Sequence, residues 1–319
     1  VPESFFSLWR GIEDPDFPWT GILFGAPILG VWYWCTDQFI VQRVLSAKNI
    51  QHARRGSMFG GFLKILPLFL FVFFFFICFA LSQKGLLTLS NPDNALPVMI
   101  GSILPNGIKG LVFAGLLAAL MSSLSSVFNS CSTLITYDFY LRIKPQASEK
   151  KLIWVGQIST VILVLLGIAW IPVMKLISGE LYKYLQSVQA YISPPIASVF
   201  LLGVFIKRLN SYGAIAALLT GFILGILRLV LEIYKASIQG ILLEYASINF
   251  LHFALLLFII CSLVLIIVSL ATKAPDQSKL QEITYDWSKR LKITAENKTD
   301  IILSALLIAI ILSIWIIFS

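Results

Sequence analysis

Eight long apolar runs constrain the fold of this chain more than any other feature of its sequence. They lie at about residues 19–41, 61–82, 108–137, 152–173, 185–206, 212–234, 249–272 and 300–318. Each run is close to the roughly 20 residues that a helix needs to cross a bilayer. Because the runs lack the alternation of membrane β-strands, only helices fit them. The sequence therefore predicts an all-α polytopic membrane protein with about eight transmembrane helices.

The charged residues are few and clustered. Hydrophobic residues make up 58% of the chain and charged residues 13%, whereas soluble domains average about 45–50% and about 25%. The formal charge of +8 comes from Lys and Arg clusters between the apolar runs, so it indicates membrane topology and not a nucleic-acid partner. By the positive-inside rule the loops at 43–55, 142–151, 207–208 and 273–298 are cytoplasmic. Residues 1–18 then form an extracellular lead.

The sequence carries no motif of nucleotide-driven or common hydrolytic chemistry. It has no GxxxxGK[ST], protein-kinase, HExxH or GxSxG pattern. Its two His are isolated, and its four Cys lie singly inside apolar runs. We therefore expect neither enzyme activity nor an organic cofactor, and a passive or ion-coupled carrier is the class that remains.

Three adjacent aromatic residues at 32–34 are followed by Asp37 and Gln38 while the hydrophobic pattern continues. Polar groups at membrane depth are costly, so they usually face a bundle interior or a water-filled path. The rings of Tyr33 and Trp34 suit a solute ring that is apolar on one face and hydroxylated at its rim. The alternative is an aromatic belt at the membrane interface, with the polar residues among the headgroups.

The third apolar run carries a polar face. At helical spacing Ser122, Ser126, Asn129 and Thr133 lie on one side, and Ser123 borders it. Hydroxyls and free carbonyls are the hard oxygen ligands that alkali and alkaline-earth cations prefer. The alternative is close helix packing through small residues, with hydroxyls bonded back to the preceding turn.

The fifth run places Gln186 and Gln189 just before Pro194 and Pro195. Each proline lacks a backbone donor, so the pattern predicts an interrupted helix with exposed amides, which is typical of a transporter binding site. A proline kink without a role in binding is the alternative.

Three charged residues lie in or near predicted spans. Arg228 and Glu232 are four residues apart, which predicts a helical ion pair near the outer surface. Lys64 either extends to the membrane interface or donates a hydrogen bond into a central cavity.

Several motifs, in order, resemble the sodium/solute symporter family, and more narrowly its sodium/glucose cotransporter branch. The most specific is Trp32-Tyr33-Trp34-Cys35-Thr36-Asp37-Gln38, followed by Val41-Gln42-Arg43. Further matches lie at 45–49, 63–67, 120–130, 186–187, 203–208 and 213–214. The resemblance covers nearly the whole chain and is weakest after about Lys273.

The resemblance implies an inverted-repeat, LeuT-like transporter fold of two five-helix halves with peripheral helices. Residues 19–206 then correspond to the second five-helix repeat and residues 207–319 to peripheral C-terminal helices. The first repeat would be missing, and the resemblance implies that this N-terminal half is required for transport.

The resemblance also implies roles for individual residues. Tyr33 resembles the inner-gate aromatic that covers the sugar, and Lys64 and Gln186 resemble residues that hydrogen bond to sugar hydroxyls. The sodium site would take the carbonyl of Ala119 with Ser122 and Ser123, and Ser126 falls where relatives that use two sodium ions have a second-site serine.

The resemblance also has departures, and three of them concern the candidate site or its neighbourhood. Gly30 stands where relatives carry a polar sugar contact, Gln189 where a Thr is common, and Lys183 where an acidic residue is common. The lost hydroxyl and the longer amide suit a different hexose or a polyol.

We therefore expect a sodium-coupled secondary transporter of a sugar such as glucose or galactose, working by alternating access in a lipid bilayer. The alternatives are a sodium symporter for inositol, sialic acid or another polyhydroxy solute, and a non-transporting solute sensor or split subunit. Short outer loops favour the bacterial inner membrane as its location.

Overall fold

A computed structural model of the chain describes residues 7–177, 181–280, 283–285 and 295–318, and this part is helical without strands. The chain packs as two compact units. Leu63–Leu181 belongs to the first unit, and Pro2–Phe62 together with Tyr182–Ser319 forms the second. The assignment of 19–206 and 207–319 to a repeat and a periphery stays a prediction.

The described helices follow one another along the chain. They are α1 (Trp19–Phe24), α2 (Ala26–Cys35), α3 (Gln38–Leu45), α4 (Ile50–Gln83), α5 (Ala95–Ile103), α6 (Asn106–Thr133), α7 (Leu141–Ile143), α8 (Glu149–Ile177), α9 (Leu181–Phe205), α10 (Ser211–Ile233), α11 (Ile241–Ser247), α12 (Phe250–Ala271), α13 (Gln277–Leu280) and α14 (Ala295–Ile317). A π-helix at Leu134–Tyr140 joins α6 to α7.

Seven of the described helical stretches are long and apolar enough to cross a membrane. They are Ile50–Gln83, Asn106–Ile143, Glu149–Pro172, Leu181–Phe205, Ser211–Ile233, Phe250–Ala271 and Lys298–Ile317. These stretches correspond to the second through eighth predicted runs, so the prediction of an all-α polytopic membrane protein is confirmed.

The first predicted run, 19–41, is not one continuous helix. It is divided into α1, α2 and α3, with breaks at Gly25 and at Thr36–Asp37. Gly25 lies so close to the backbone carbonyl of Leu251 that a Cβ atom there would overlap it. Asp37 starts a new helix because its carboxylate accepts a hydrogen bond from the Phe39 amide at 3.1 Å.

The interruption predicted at the proline pair is also wrong. Helix α9 runs from Leu181 to Phe205 with Pro194 and Pro195 inside it. Both prolines are buried, and a Cβ atom at Gly221 of α10 would overlap the Pro195 ring. A neighbouring helix packed this closely supports a membrane helix across the turn that the prolines weaken.

Most of the buried apolar side chains in the second unit form one cluster. Leu29 of α2 joins Ala190 and Tyr191 of α9 in this cluster. Helix α10 and helix α12 contribute the remaining buried members: Ala217, Phe250, Leu251, Phe253, Ala254, Leu257, Cys261 and Leu265. Four elements that are far apart in sequence therefore share one core.

The ion pair predicted between Arg228 and Glu232 is wrong. Arg228 is 3% exposed, and its Nη1 and Nη2 atoms donate to the backbone carbonyls of Tyr245 at 2.7 Å and Ile248 at 2.9 Å. Glu232 instead accepts a short hydrogen bond from the Tyr191 hydroxyl. The guanidinium binds the carbonyls of Tyr245 and Ile248 because these groups would otherwise be buried without hydrogen-bond donors.

Two ion pairs in the second unit agree with the membrane topology predicted from charge. Lys183 Nζ lies 2.8 Å from Asp16 Oδ2, and both residues belong to segments assigned to the outer side. Arg55 Nε lies 3.2 Å from Asp300 Oδ1, and both belong to segments assigned to the cytoplasmic side.

Candidate functional site

The break between α2 and α3 is the feature around which the candidate solute site is built. The Trp32 carbonyl accepts hydrogen bonds from the Thr36 hydroxyl at 2.7 Å and from the amides of Thr36 and Asp37 at 3.0 and 3.1 Å. These bonds close α2, and the Asp37 carboxylate caps α3. A discontinuous helix in the membrane leaves backbone groups available and is typical of transporter binding sites.

Gly30, Tyr33 and Trp34 lie on one side of α2, at positions i, i+3 and i+4. Tyr33 is half-buried, and its ring meets the Trp34 ring edge-on with centroids 5.5 Å apart. Trp34 is 42% exposed. A Cβ atom at Gly30 would have no neighbour within 4 Å, so this side of α2 borders open space.

Gln186 and Gln189 lie one turn apart on α9 and are both half-buried. Gln189 precedes Ala190, which is buried in the same cluster as Leu29, the residue before Gly30. The structure therefore brings α2 and α9 to one core within the second unit. Lys64 is an exposed residue of α4 in the first unit.

The candidate sodium ligands lie on α6 in the first unit. Ala119, Ser122 and Ser123 are exposed, and Ser126 is half-buried. These positions are spaced i, i+3, i+4 and i+7, so they share one side of the helix. In the described part of the chain no hydrogen bond involves the Ser122 or Ser123 hydroxyl, and both are available to a cation.

Three other hydroxyls of α6 are bonded back to the helix. Ser126 donates to the Ser122 carbonyl at 3.0 Å, Ser130 to the Ser126 carbonyl at 2.8 Å, and Thr133 to the Asn129 carbonyl at 2.8 Å. The alternative in which small polar residues bond back to the preceding turn therefore holds for the C-terminal half of α6.

The family model of the sodium:solute symporters matches residues 6–221 of the chain. The chain belongs to the sodium:solute symporter family. This family consists of transporters, so the prediction that the chain is not an enzyme agrees with it. Membership and the seven apolar helical stretches together identify an integral membrane protein.

Curated relatives of this symporter chain include both sugar and inositol carriers. It is 38% identical to sodium/glucose cotransporter 1 of Oryctolagus cuniculus over 94% of its own length and 47% of the relative's. It is 39% identical to sodium/glucose cotransporter 4 of Mus musculus over 94% of its length and 46% of the relative's. It is 40% identical to sodium/myo-inositol cotransporter 2 of Homo sapiens over 89% of its length and 45% of the relative's.

The chain spans about half the length of these curated relatives. The resemblance to the sodium/glucose cotransporter branch is confirmed. The roles given to the individual sugar and sodium residues stay predictions.

The sequence interpretation missed the helix break at Asp37, although a signal for it was present. Asp is a preferred N-cap residue, and here it follows a Thr, another residue that favours caps over helix interiors. The apolar pattern continues on both sides of Asp37, and helical periodicity alone does not show where one helix ends and the next begins.

Proposed function

We propose that this chain forms part of a sodium-coupled symporter that carries a sugar such as glucose or galactose by alternating access. The family match over residues 6–221 is the observation that carries the proposal. The helix break at Thr36–Asp37, beside a face formed by Gly30, Tyr33 and Trp34, supports a solute site on α2.

The sugar is bound by side chains from α2 and α9. Tyr33 and Trp34 offer ring faces to the apolar side of the sugar, and Tyr33 covers it from the cytoplasmic side. Gln186 and Gln189 of α9 hydrogen bond to its hydroxyls, and the role of Lys64 stays a prediction from the family resemblance. Gly30 leaves room at the pocket wall, because nothing lies within 4 Å of the position that its Cβ would take.

Sodium is the coupling ion. The Ala119 carbonyl and the hydroxyls of Ser122 and Ser123 bind it, and Ser126 serves a second ion if two are used. Ion binding orders the helix contacts around α6 and thereby raises the affinity for the sugar. Because this coupling is a free energy shared by two sites, the sugar must raise the affinity for sodium by the same factor.

Transport takes place across a lipid bilayer, and it requires the part of the longer relatives that this chain does not match. The proposed location is a cell membrane. A bacterial inner membrane stays a prediction from the short outer loops, and the relatives described above are animal proteins.

The test is uptake by sealed vesicles that contain the protein expressed from its longest natural reading frame. Labelled glucose, galactose, mannose, fructose, myo-inositol and sialic acid are supplied with an inward sodium gradient or with the same gradient of choline. We expect sodium-dependent accumulation of glucose or galactose.

Other outcomes of the same experiment would replace the proposal. Accumulation of myo-inositol or sialic acid alone would keep the symport and change the solute. Sugar-induced currents without accumulation of any solute would identify a sensor, and equal uptake with both cations would remove sodium from the mechanism.

A further inference from the structure

The lead before α1 is attached to the outer ends of α9 and α12 by a small polar network. Asn249 Nδ2 donates to the backbone carbonyls of Pro15 at 2.8 Å and Asp16 at 3.0 Å. Asp14 Oδ1 accepts from the amides of Asp16 at 3.0 Å and Phe17 at 2.8 Å. These two amides, mainly that of Phe17, hold the pKa of Asp14 below its ordinary value. These bonds hold residues 14–17 of the lead in one backbone conformation.

One ion pair connects this lead to α9. Lys183 Nζ lies 2.8 Å from Asp16 Oδ2, with the two side chains 30% and 38% exposed. Next to the ion pair, the centroid of the Phe17 ring lies 6.1 Å from that of Tyr182 and 5.8 Å from that of Phe250. The ion pair and the ring contact join the same two segments side by side.

The position of the pair relates it to the candidate solute site. Asp16 lies three residues before α1, the start of the divided helix that carries Tyr33. Lys183 lies one helical turn before Gln186, on the same side of α9. The pair therefore links the two elements that carry the aromatic and the amide contacts of the proposed sugar site.

An acidic residue in place of Lys183 would repel Asp16, so this contact depends on the opposite charges of the two side chains. Exposed ion pairs add little to folding stability, because water screens them and ordering two long side chains costs entropy. A contact that is weak and reversible suits elements that separate and return during each transport cycle.

Resting on the proposed function, we propose that Asp16 and Lys183 form an outer tie that holds α9 against the lead of α1 when the outer side is closed. Opening the outer side to admit solute breaks this ion pair. Both are positioning residues, because they act on Tyr33 and Gln186 through the helices and do not touch the solute.

The first test compares Asp16→Asn, Lys183→Gln and the exchanged pair Asp16→Lys/Lys183→Asp in the protein from its longest natural reading frame. Without the tie the outward-open form is more populated, so external solute binds more readily. Each single variant should lower the KM for external solute about two- to fivefold and also lower the maximal rate, since closing is less favourable. The exchanged pair should restore both values.

The dependence of KM on ionic strength distinguishes the tie from a purely structural contact, which would not change KM with salt. Raising external choline chloride screens the pair. It should shift the wild-type KM toward that of the single variants and leave the variants unchanged. Lys235→Gln is the matched control, because Lys235 is an exposed lysine in a segment assigned to the same side.

A second measurement does not depend on knowing the solute. Gly30→Cys places a thiol in open space beside Tyr33. The rate at which an impermeant maleimide alkylates this thiol from outside, assigned by peptide mass spectrometry, reports how often the outer side is open. Asp16→Asn and Lys183→Gln should raise that rate. The exchanged pair should return it to the rate of the Gly30→Cys protein in which Asp16 and Lys183 are unchanged.

The two measurements separate the tie from the proposed function. If no solute accumulates but alkylation responds to the tie variants, the transport proposal fails and the tie stands. If transport is normal and alkylation and KM are the same in all the variants, the tie is overturned. If the single variants lower the amount of protein in the membrane and the exchanged pair does not restore that amount, the ion pair is only a folding contact. This result would also overturn the tie.

Discussion

The guanidinium of Arg208 donates to the backbone carbonyl of Ser269 at 2.6 Å. A second nitrogen of the same group donates to the carbonyls of Leu270 at 3.2 Å and Thr272 at 2.8 Å. These carbonyls belong to the last turn of α12, where a helix has no acceptor partners of its own. Arg208 therefore closes the C-terminal end of α12 from the connection between α9 and α10.

This contact predicts a stability loss in Arg208→Ala. Hydrogen bonds to charged groups contribute about 1.5–3 kcal/mol each at buried sites, and this half-buried group should contribute a fraction of that. Arg208→Lys should recover only part of the loss, because an ammonium does not reach several carbonyls in a forked geometry. The measurement is the thermal unfolding midpoint of the purified protein in detergent.

The control for this prediction is Lys207→Ala, which removes the same charge from the exposed neighbouring residue. Equal midpoints for Arg208→Ala and Lys207→Ala would show that the contact with α12 contributes nothing.

The close approach of α10 to α9 predicts that Gly225→Ala is destabilising. A Cβ atom at Gly225 would lie 2.6 Å from the Tyr191 carbonyl oxygen, closer than van der Waals contact allows. Overpacking of this kind typically costs about 1–3 kcal/mol. In an open helical position the same change is favourable by about 1 kcal/mol, because alanine is the better helix former. Thermal unfolding in detergent measures both effects.

Gly203→Ala of α9 provides the comparison, since its Cβ atom would have no neighbour within 4 Å. We expect Gly203→Ala to have an unchanged or higher midpoint. A higher midpoint for Gly225→Ala as well would show that α9 and α10 do not pack this closely.

The sequence predicted the helices better than it predicted their ends. Seven of the eight apolar runs lie in helical stretches long enough to cross a membrane, because length and hydropathy determine a membrane span without reference to its neighbours. The break at Asp37 and the continuity through Pro194 and Pro195 depend on capping and on packing against α10, which hydropathy does not contain. Arg228 was assigned to the wrong partner for the same reason, since its carbonyl acceptors are 17 and 20 residues away.

The solute site was predictable only as a set of helix faces. Spacing places Gly30, Tyr33 and Trp34 on one side of α2, and Gln186 and Gln189 on one side of α9. That both helices border one core through Leu29 and Ala190 is a tertiary fact, and periodicity does not specify it.

The aromatic and amide contacts predict losses of transport in Tyr33→Ala and Gln186→Ala. Removing one hydrogen bond to the solute costs about 0.5–1.5 kcal/mol, so Gln186→Ala should raise the KM for sugar about three- to tenfold. Tyr33→Ala should lower kcat/KM by about tenfold or more, because it removes the ring face and also the inner gate. Initial uptake rates in vesicles at saturating sodium measure both.

Tyr212→Ala serves as the control, since Tyr212 is 63% exposed at the start of α10. Kinetics that match this control for both Tyr33→Ala and Gln186→Ala would remove α2 and α9 from the sugar site.

The unbonded hydroxyls of α6 predict a specific effect on sodium. Ser123→Ala removes one proposed oxygen ligand, so the sodium concentration for half-maximal uptake should rise, by about tenfold for each 1.4 kcal/mol of lost binding free energy. At saturating sodium the affinity for sugar should change less. Ser102→Ala, an exposed serine of α5, is the control. Identical sodium curves for Ser123→Ala and wild type would exclude Ser123 from the ion site.

The open space beside Gly30 predicts that this position selects among sugars. Gly30→Asn or Gly30→Thr would add a polar side chain, and the surroundings accommodate it because a Cβ atom at Gly30 has no neighbour within 4 Å. A new hydrogen bond to one hydroxyl favours the solute that carries that hydroxyl in the right place, since a mismatched solute leaves a polar group unpaired. We expect the ratio of kcat/KM for glucose to that for myo-inositol to rise about tenfold, which corresponds to about 1.4 kcal/mol. Gly30→Ala adds only the Cβ atom and should leave the ratio unchanged, so a rise in all three variants would indicate a change of pocket shape and not a polar contact.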